Sequence, residues 1–241
     1  MPEPEHPGGR RPRLTRERVL DEAVALADEA GLDGLSMRTL ADRLGVVPMA
    51  LYKHVRDKEA LLDGMVETVL AEVPPPPEEP GAAWKAAARA RVLDTRRALQ
   101  RHPWAWRALE TRPAPTPAML DHMEAMLRIL RSGGVSPQLT HHAMHALGSR
   151  IWGFTQEVGA SGPPPTDPDE IAAAMAAMAA RWPAVLESAM SAGHDPDTTV
   201  GAGCDDDFEF AFALDLILDG TERLDERGWT PWGGVSAGAG G

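Results

Sequence analysis

The sequence predicts an all-α fold: a three-helix head at the N-terminus, a connecting helix, and a larger all-helical body. Nearly every segment carries apolar residues at i, i+3 and i+4 spacing, and none shows the alternation of a strand. In SMRTLADRLGVVPMALYKHV, residues 36–55, two short helical stretches flank Gly45, the arrangement of a helix-turn-helix. The run PPPPEEPG at 74–81 then breaks the helical pattern, because proline cannot continue a helix and a proline run is stiff and extended. The 241 residues suffice for one or two domains, and 43% apolar with 25% charged residues is ordinary globular usage that excludes wholesale disorder.

Each element has a local reason. Val19, Ala23, Leu26, Ala27 and Ala30 give a first helix its apolar face; Thr15 is its N-cap and Gly31 its stop. Ser36 caps a second helix, Met37 to Leu44, which the left-handed turn residue Gly45 ends. Pro48 opens a third helix, where its missing N–H is not needed, and this helix ends near His54. Asp57 caps the connecting helix, Lys58 to Val73, with Leu61, Leu62, Met65, Val66, Val69 and Leu70 on its apolar side. The body follows as helices over 82–101, 104–109, 117–131, 137–159, 169–191 (across Pro183) and 206–227. The predicted organisation is therefore a flexible arm over 1–13, the head and connecting helix over 14–73, the body over 82–228, and a glycine-rich tail over 229–241.

Composition narrows the chemistry. The one cysteine, Cys204, sits among acids in GAGCDDD, which excludes an intramolecular disulfide framework and points to a reducing, cytoplasmic setting. No apolar run approaches the roughly 18 residues of a membrane span, and the first residues lack a signal peptide's apolar stretch, so no membrane partner is expected. No nucleophile motif, metal signature, phosphate-binding glycine loop or dinucleotide fingerprint is present, which argues against an enzyme. The net charge of −12 is unevenly spread: residues 10–58 carry ten Lys and Arg against eight Asp and Glu, whereas 59–241 carry fourteen against twenty-six. A slightly basic head on an acidic body permits DNA to approach the head alone.

A helix fits the major groove of B-DNA and brings its leading residues to base edges, which is the chemistry a helix-turn-helix serves. Residues 14–70 resemble the N-terminal domain of the tetracycline-repressor (TetR) family, through RERVLDEAVAL, GLDGLSMRTLADRLGV, ALYKHV and DKEALL. The body is similar in outline, through Thr111-Arg112-Pro113, the Gly153 to Glu157 stretch and an acidic, Phe-rich last helix. The resemblance implies phosphate contacts from Tyr52, His54 and Lys58, and a base or phosphate contact from Arg38. Val47, Pro48, Met49, Ala50 and Lys53 would lie along the groove, Ala50 against a thymine methyl and Lys53 donating to guanine.

For the body, the resemblance implies dimerisation and a small-molecule effector of unknown identity. Phe208, Phe212, Leu216 and Ile217 on the last helix, with Ala143, Leu147, Ile151 and Phe154 on the helix from 137, are candidates for a two-fold homodimer interface; the bland alternative packs them within one chain. A two-fold dimer presents its recognition helices about 34–36 Å apart and expects a near-palindromic double-stranded operator. Trp104, Trp106, Thr111, Met123, His145, Trp152 and Glu157 are the candidate pocket residues, although aromatics and methionines are also ordinary core material.

His141, His142 and His145 form HHxxH, with His141 and His145 on one helical face; a solvated cluster is the simpler reading than a metal site. In tetracycline-binding members a histidine and a later glutamate serve a ligand-bound magnesium. Glu157 matches the glutamate, but Ala108 stands in the histidine's place, so neither a metal nor any other cofactor is expected. The reading is a ligand-responsive repressor; the alternative is an activator, or a ligand-independent regulator acting through a protein partner.

Overall fold

The computed structural model describes residues 13–78, 80–112, 114–153, 167–191 and 206–231. The described residues are helical with no strand: α1 (Arg16–Gly34), α2 (Met37–Leu44), α3 (Pro48–Leu51), α4 (Lys58–Ala71), α5 (Trp84–Arg101), α6 (Ala105–Glu110), α7 (Pro117–Ser132), α8 (Pro137–Gly153), α9 (Pro168–Arg181), α10 (Pro183–Ser191) and α11 (Asp206–Glu226). The caps lie where their side chains can work. The Thr15 hydroxyl accepts from the Arg18 N–H, Ser36 from Thr39, and the Asp57 carboxylate from Ala60. Gly31 breaks α1 at φ 69°, and Gly45 closes α2 at φ 67°.

The third helix differs from its expected extent. Only Pro48–Leu51 is α-helical; the chain then tightens, with Lys53 N–H donating to the Ala50 carbonyl and His54 N–H to Leu51. These i to i−3 bonds wind the turn more closely than an α-helix. The helix expected over 169–191 is two helices, α9 and α10, because Pro183 has no N–H with which to continue α9. The predicted end of α8, 154–159, lies outside the described residues.

One compact unit comprises residues 1–145 with 221–241, the other residues 146–220. In the first, Val19, Leu20, Ala23 and Ala27 of α1, Leu40 and Leu44 of α2, Leu51, Val55, and Leu61, Met65 and Val69 of α4 share one core. That core does not stop at the prolines. Ala98 of α5, Trp104, and Ala105, Ala108 and Leu109 of α6 belong to the same cluster, and α4 packs on α5, α6 and α7. The Pro-rich stretch ends a helix without ending the packing.

Within this unit the end of α7 meets the start of α5. A Cβ added at Gly133 would overlap the indole of Trp84, which is itself buried. Gly133→Ala therefore forces the ring or the α7 end to shift, and is expected to lower stability by about 1–3 kcal/mol, read as a fall in denaturation midpoint. In the second unit, α9 and α10 pack on each other, and α11 buries Phe210, Leu214 and Leu218. The Arg150 guanidinium lies 5.0 Å over the Phe210 ring and donates to the Glu209 carbonyl. No helix among the described residues is long and apolar enough to cross a membrane.

Candidate nucleic-acid interface

The head presents α3 and its flanks outward. Leu51 is fully buried beneath, whereas Val47 and Met49 are about 70% exposed and Tyr52 about half. Large side chains held in water on a four-residue helix and its two caps have no packing reason within the chain. Pro48 and Lys53 are exposed beside them; Ala50 and His54 are half-buried. Arg38 at the start of α2 and Lys58 at the start of α4 are exposed as well.

Other cations of the head are already occupied. Arg43 donates to Glu22 at 2.8 Å and to both oxygens of Glu29 at 2.5 and 2.7 Å, tying α2 to two turns of α1. The fork-like pairing holds Arg43 fully charged, its hydrogen bonds to Glu29 and Glu22 raising an already high pKa, and holds the Glu29 carboxyl below its usual range. Arg56 pairs with Asp57 at 2.8 Å, and Arg16 with Glu67 at 3.1 Å. Arg38, Lys53 and Lys58, all exposed, make no hydrogen bond or ion pair among the described residues. The fixed parts of the head are thus joined to each other, and its exposed cations and apolar tips point outward.

Behind the head, α4 is held at both ends. Arg112, after α6, has its side chain almost entirely buried; it reaches Glu59 at 2.7 Å and Asp63 at 2.9 Å on the first turns of α4. At the other end, Glu72 accepts from Arg101 at 2.5 Å and meets the His102 ring at 2.9 Å. The other nitrogen of His102 lies 2.8 Å from Asp28 of α1, which also accepts from the Trp104 indole at 2.6 Å. Burial works against charge on His102, but its hydrogen bonds to two carboxylates outweigh it, and its pKa stands above the ordinary 6.5.

Five of the seven expected pocket residues have side chains among the described residues. Trp104 is buried in this joint with α1. Trp106, Thr111, Met123 and His145 are exposed, and the Thr111 hydroxyl donates to the Ala108 carbonyl. No hydrogen bond or ring contact joins these five to one another among the described residues. The Trp152 side chain and Glu157 lie outside what the structure describes, as do Phe154 and Cys204. The His141 ring packs edge-on against those of His142 and His145, and His142 against Trp229. Among the described residues no three His, Cys, Asp or Glu side chains are arranged to hold a metal ion.

Sequence reasoning passed over Arg91, Thr95 and His122, which come together between α5 and α7. A signal existed: Trp84, Ala88, Arg91, Thr95 and Ala98 recur at three- and four-residue steps, and all five are buried.

Comparison with known proteins agrees with this geometry. Residues 19–65 match the family model "Bacterial regulatory proteins, tetR family", and residues 76–224 match "Tetracyclin repressor-like, C-terminal domain". The HTH-type transcriptional repressor DrrR1 of Streptomyces coeruleorubidus is 33% identical over 230 residues, covering 90% of this chain and 80% of the relative. Among solved structures, apo ActR of Streptomyces coelicolor superposes with a TM-score of 0.68 at 26% identity, covering 89% of this chain and 98% of ActR. ActR in complex with actinorhodin gives 0.64 at 28% identity, covering 88% and 98%. With its exposed α3 and a body similar to theirs, the chain belongs to the TetR family of DNA-binding transcriptional regulators.

Proposed function

We propose that this regulator is a homodimeric repressor, released from a near-palindromic operator when a small molecule binds its body. The observation that carries the reading is the double grip on α4, by Arg112 at its start and by His102 and Arg101 at its end. A body that changes shape pulls on both ends of a helix packed against α1, so it moves the head as a unit. In a dimer, a change of a few ångströms between the heads prevents both α3 helices from docking at their roughly 34–36 Å spacing. ActR is described in complex with actinorhodin and DrrR1 is named a repressor, which supports a ligand-responsive repressor here.

The test is titration of the purified protein against its own upstream intergenic DNA and a scrambled duplex, at two salt concentrations. Two chains per site with preference for the native duplex are expected. Lys58→Ala is expected to weaken both complexes alike and to lower the salt slope by about one, as loss of one phosphate contact does. Lys53→Ala and Met49→Ala should instead narrow the gap between native and scrambled DNA. Equal, weak binding of the wild type to both duplexes would refute operator recognition at that site.

A further inference from the structure

We propose that Arg91 is the anion-binding centre of the effector site, and that the effector carries a carboxylate. This rests on the reading of the body as a ligand sensor, and names the class of ligand it senses.

Arg91 lies on the inner face of α5 with 8% of its surface exposed. Its guanidinium donates to the Pro74 carbonyl at 3.3 Å and to His122 Nδ1 at 2.9 Å, while Nε meets no acceptor. The direction of every bond here is fixed. A guanidinium has five N–H donors and no acceptor, so His122 Nδ1 must accept and the ring proton sits on Nε2. Nε2 faces the Thr95 hydroxyl at 3.3 Å, and that hydroxyl donates to the Arg91 carbonyl at 2.8 Å. Burial, with the Arg91 charge beside it, pushes the His122 pKa down to about 4, so the imidazole is neutral at physiological pH.

The cluster therefore holds a buried positive charge, and no carboxylate pairs with it among the described residues. Asp94, the acid whose charge reaches it, is paired with Arg97 at 2.6 Å. Arg112 shows the contrast: it too has an unpartnered Nε, but Glu59 and Asp63 neutralise it. A buried cation without a counter-charge is destabilising unless something supplies one. A carboxylate fits the unused donors, since the Nε–H and a free Nη–H of Arg91 form the parallel pair that binds both oxygens. The same guanidinium touches Pro74, three residues past the end of α4 and next to the buried Val73. An anion drawing Arg91 away from the Pro74 carbonyl alters how the end of α4 is held.

The experiment compares melting of the full-length wild type, Arg91→Met and Arg91→Lys, alone and with millimolar benzoate or salicylate, each beside its neutral amide. Operator binding of each variant checks that it folds. The carboxylates should raise the wild-type Tm while the amides do not; Arg91→Met should lose the response, and Arg91→Lys should keep part of it. Without ligand, Arg91→Met should melt at or above the wild-type temperature, because an uncompensated buried charge has been removed. A fall of more than about 5 °C in that variant would make Arg91 structural and overturn the proposal. Stabilisation by acid and amide alike, an undiminished response in Arg91→Met, or no response of the wild type to either carboxylate overturns it as well. Operator release is scored separately. A neutral compound that releases DNA from wild type and Arg91→Met equally leaves the sensor standing and removes the anion. If no compound of any charge releases DNA, the sensor reading itself fails.

Discussion

Replacing Phe212 and Leu216 together by glutamate is expected to turn the proposed dimer into a monomer and to lower operator affinity by about 10²–10⁴-fold. The two side chains stand one helical turn apart on α11 and are 53% and 58% exposed, while Phe210, Leu214 and Leu218 fill the buried side of the same helix. Phe208 continues the exposed row at 64%. An apolar ridge of this kind, exposed on a single chain, is the surface that a second copy would cover across a two-fold axis in the proposed dimer. Two glutamates would have to bury unpaired charge in that interface. The head should be untouched, since its core contains no residue of α11. Each head then binds alone, and the gain from tethering two half-site contacts disappears. Sedimentation equilibrium and operator titration on the same sample check both parts; a double variant that still sediments as a dimer would locate the interface elsewhere.

The second large effect concerns the joint around His102. His102→Gln is expected to destabilise the protein by about 2 kcal/mol at pH 6, scaled down because Asp28 and Glu72 are each about one-third exposed. The pH dependence has a definite sign. His102 has its pKa raised above 6.5 on folding, so its contribution is complete below 6.5 and is lost as pH rises through the folded value. Burial raises the Glu72 pKa, but the hydrogen bonds from Arg101 and His102 overcome it and leave it below 4.5; that contribution is present above 4.5 and is lost on acidification. The joint is thus strongest between roughly pH 5 and 6.5 and loosens as pH rises through the folded pKa of His102. Melting curves at pH 6 and 9 should show wild type and His102→Gln converging at the higher pH. Parallel curves at both would mean that the imidazole carries no charge in the fold.

The difference between these two regions explains what the sequence could reveal. Thr15, Ser36, Asp57, Gly31 and Gly45 act on backbone within a few residues of themselves, so the starts of α1, α2 and α4, the end of α2 and the break at Gly31 were readable in advance, whereas α1 runs on to Gly34 and α4 stops at Ala71, short of Val73. The exposed face of α3 was readable because a resemblance fixed its register, whereas its short α-helical extent was not, since Tyr52 to His54 carry no breaker. The long-range pairs left no local trace. His102 meets Asp28 and Glu72 across 74 and 30 positions, and nothing near Trp104 announces that its indole belongs to Asp28. Ala143 and Leu147, counted toward the dimer face, are buried within one chain. A helical stripe reads the same whichever partner covers it. Arg91 was hidden by its type, because an arginine on an apolar stripe ordinarily extends its head into water.

The continuity of the core across the prolines bears on how such regulators can be recombined. A chimaera joined at Pro74 would strip Ala98, Trp104, Ala105, Ala108 and Leu109 from the cluster that supports α1 and α4, and would leave Asp28 without its indole and imidazole. Transplanting this DNA specificity onto another sensor should succeed only when the graft carries everything through α6. The portable module is therefore about two-thirds again as long as the helix-turn-helix and its connecting helix.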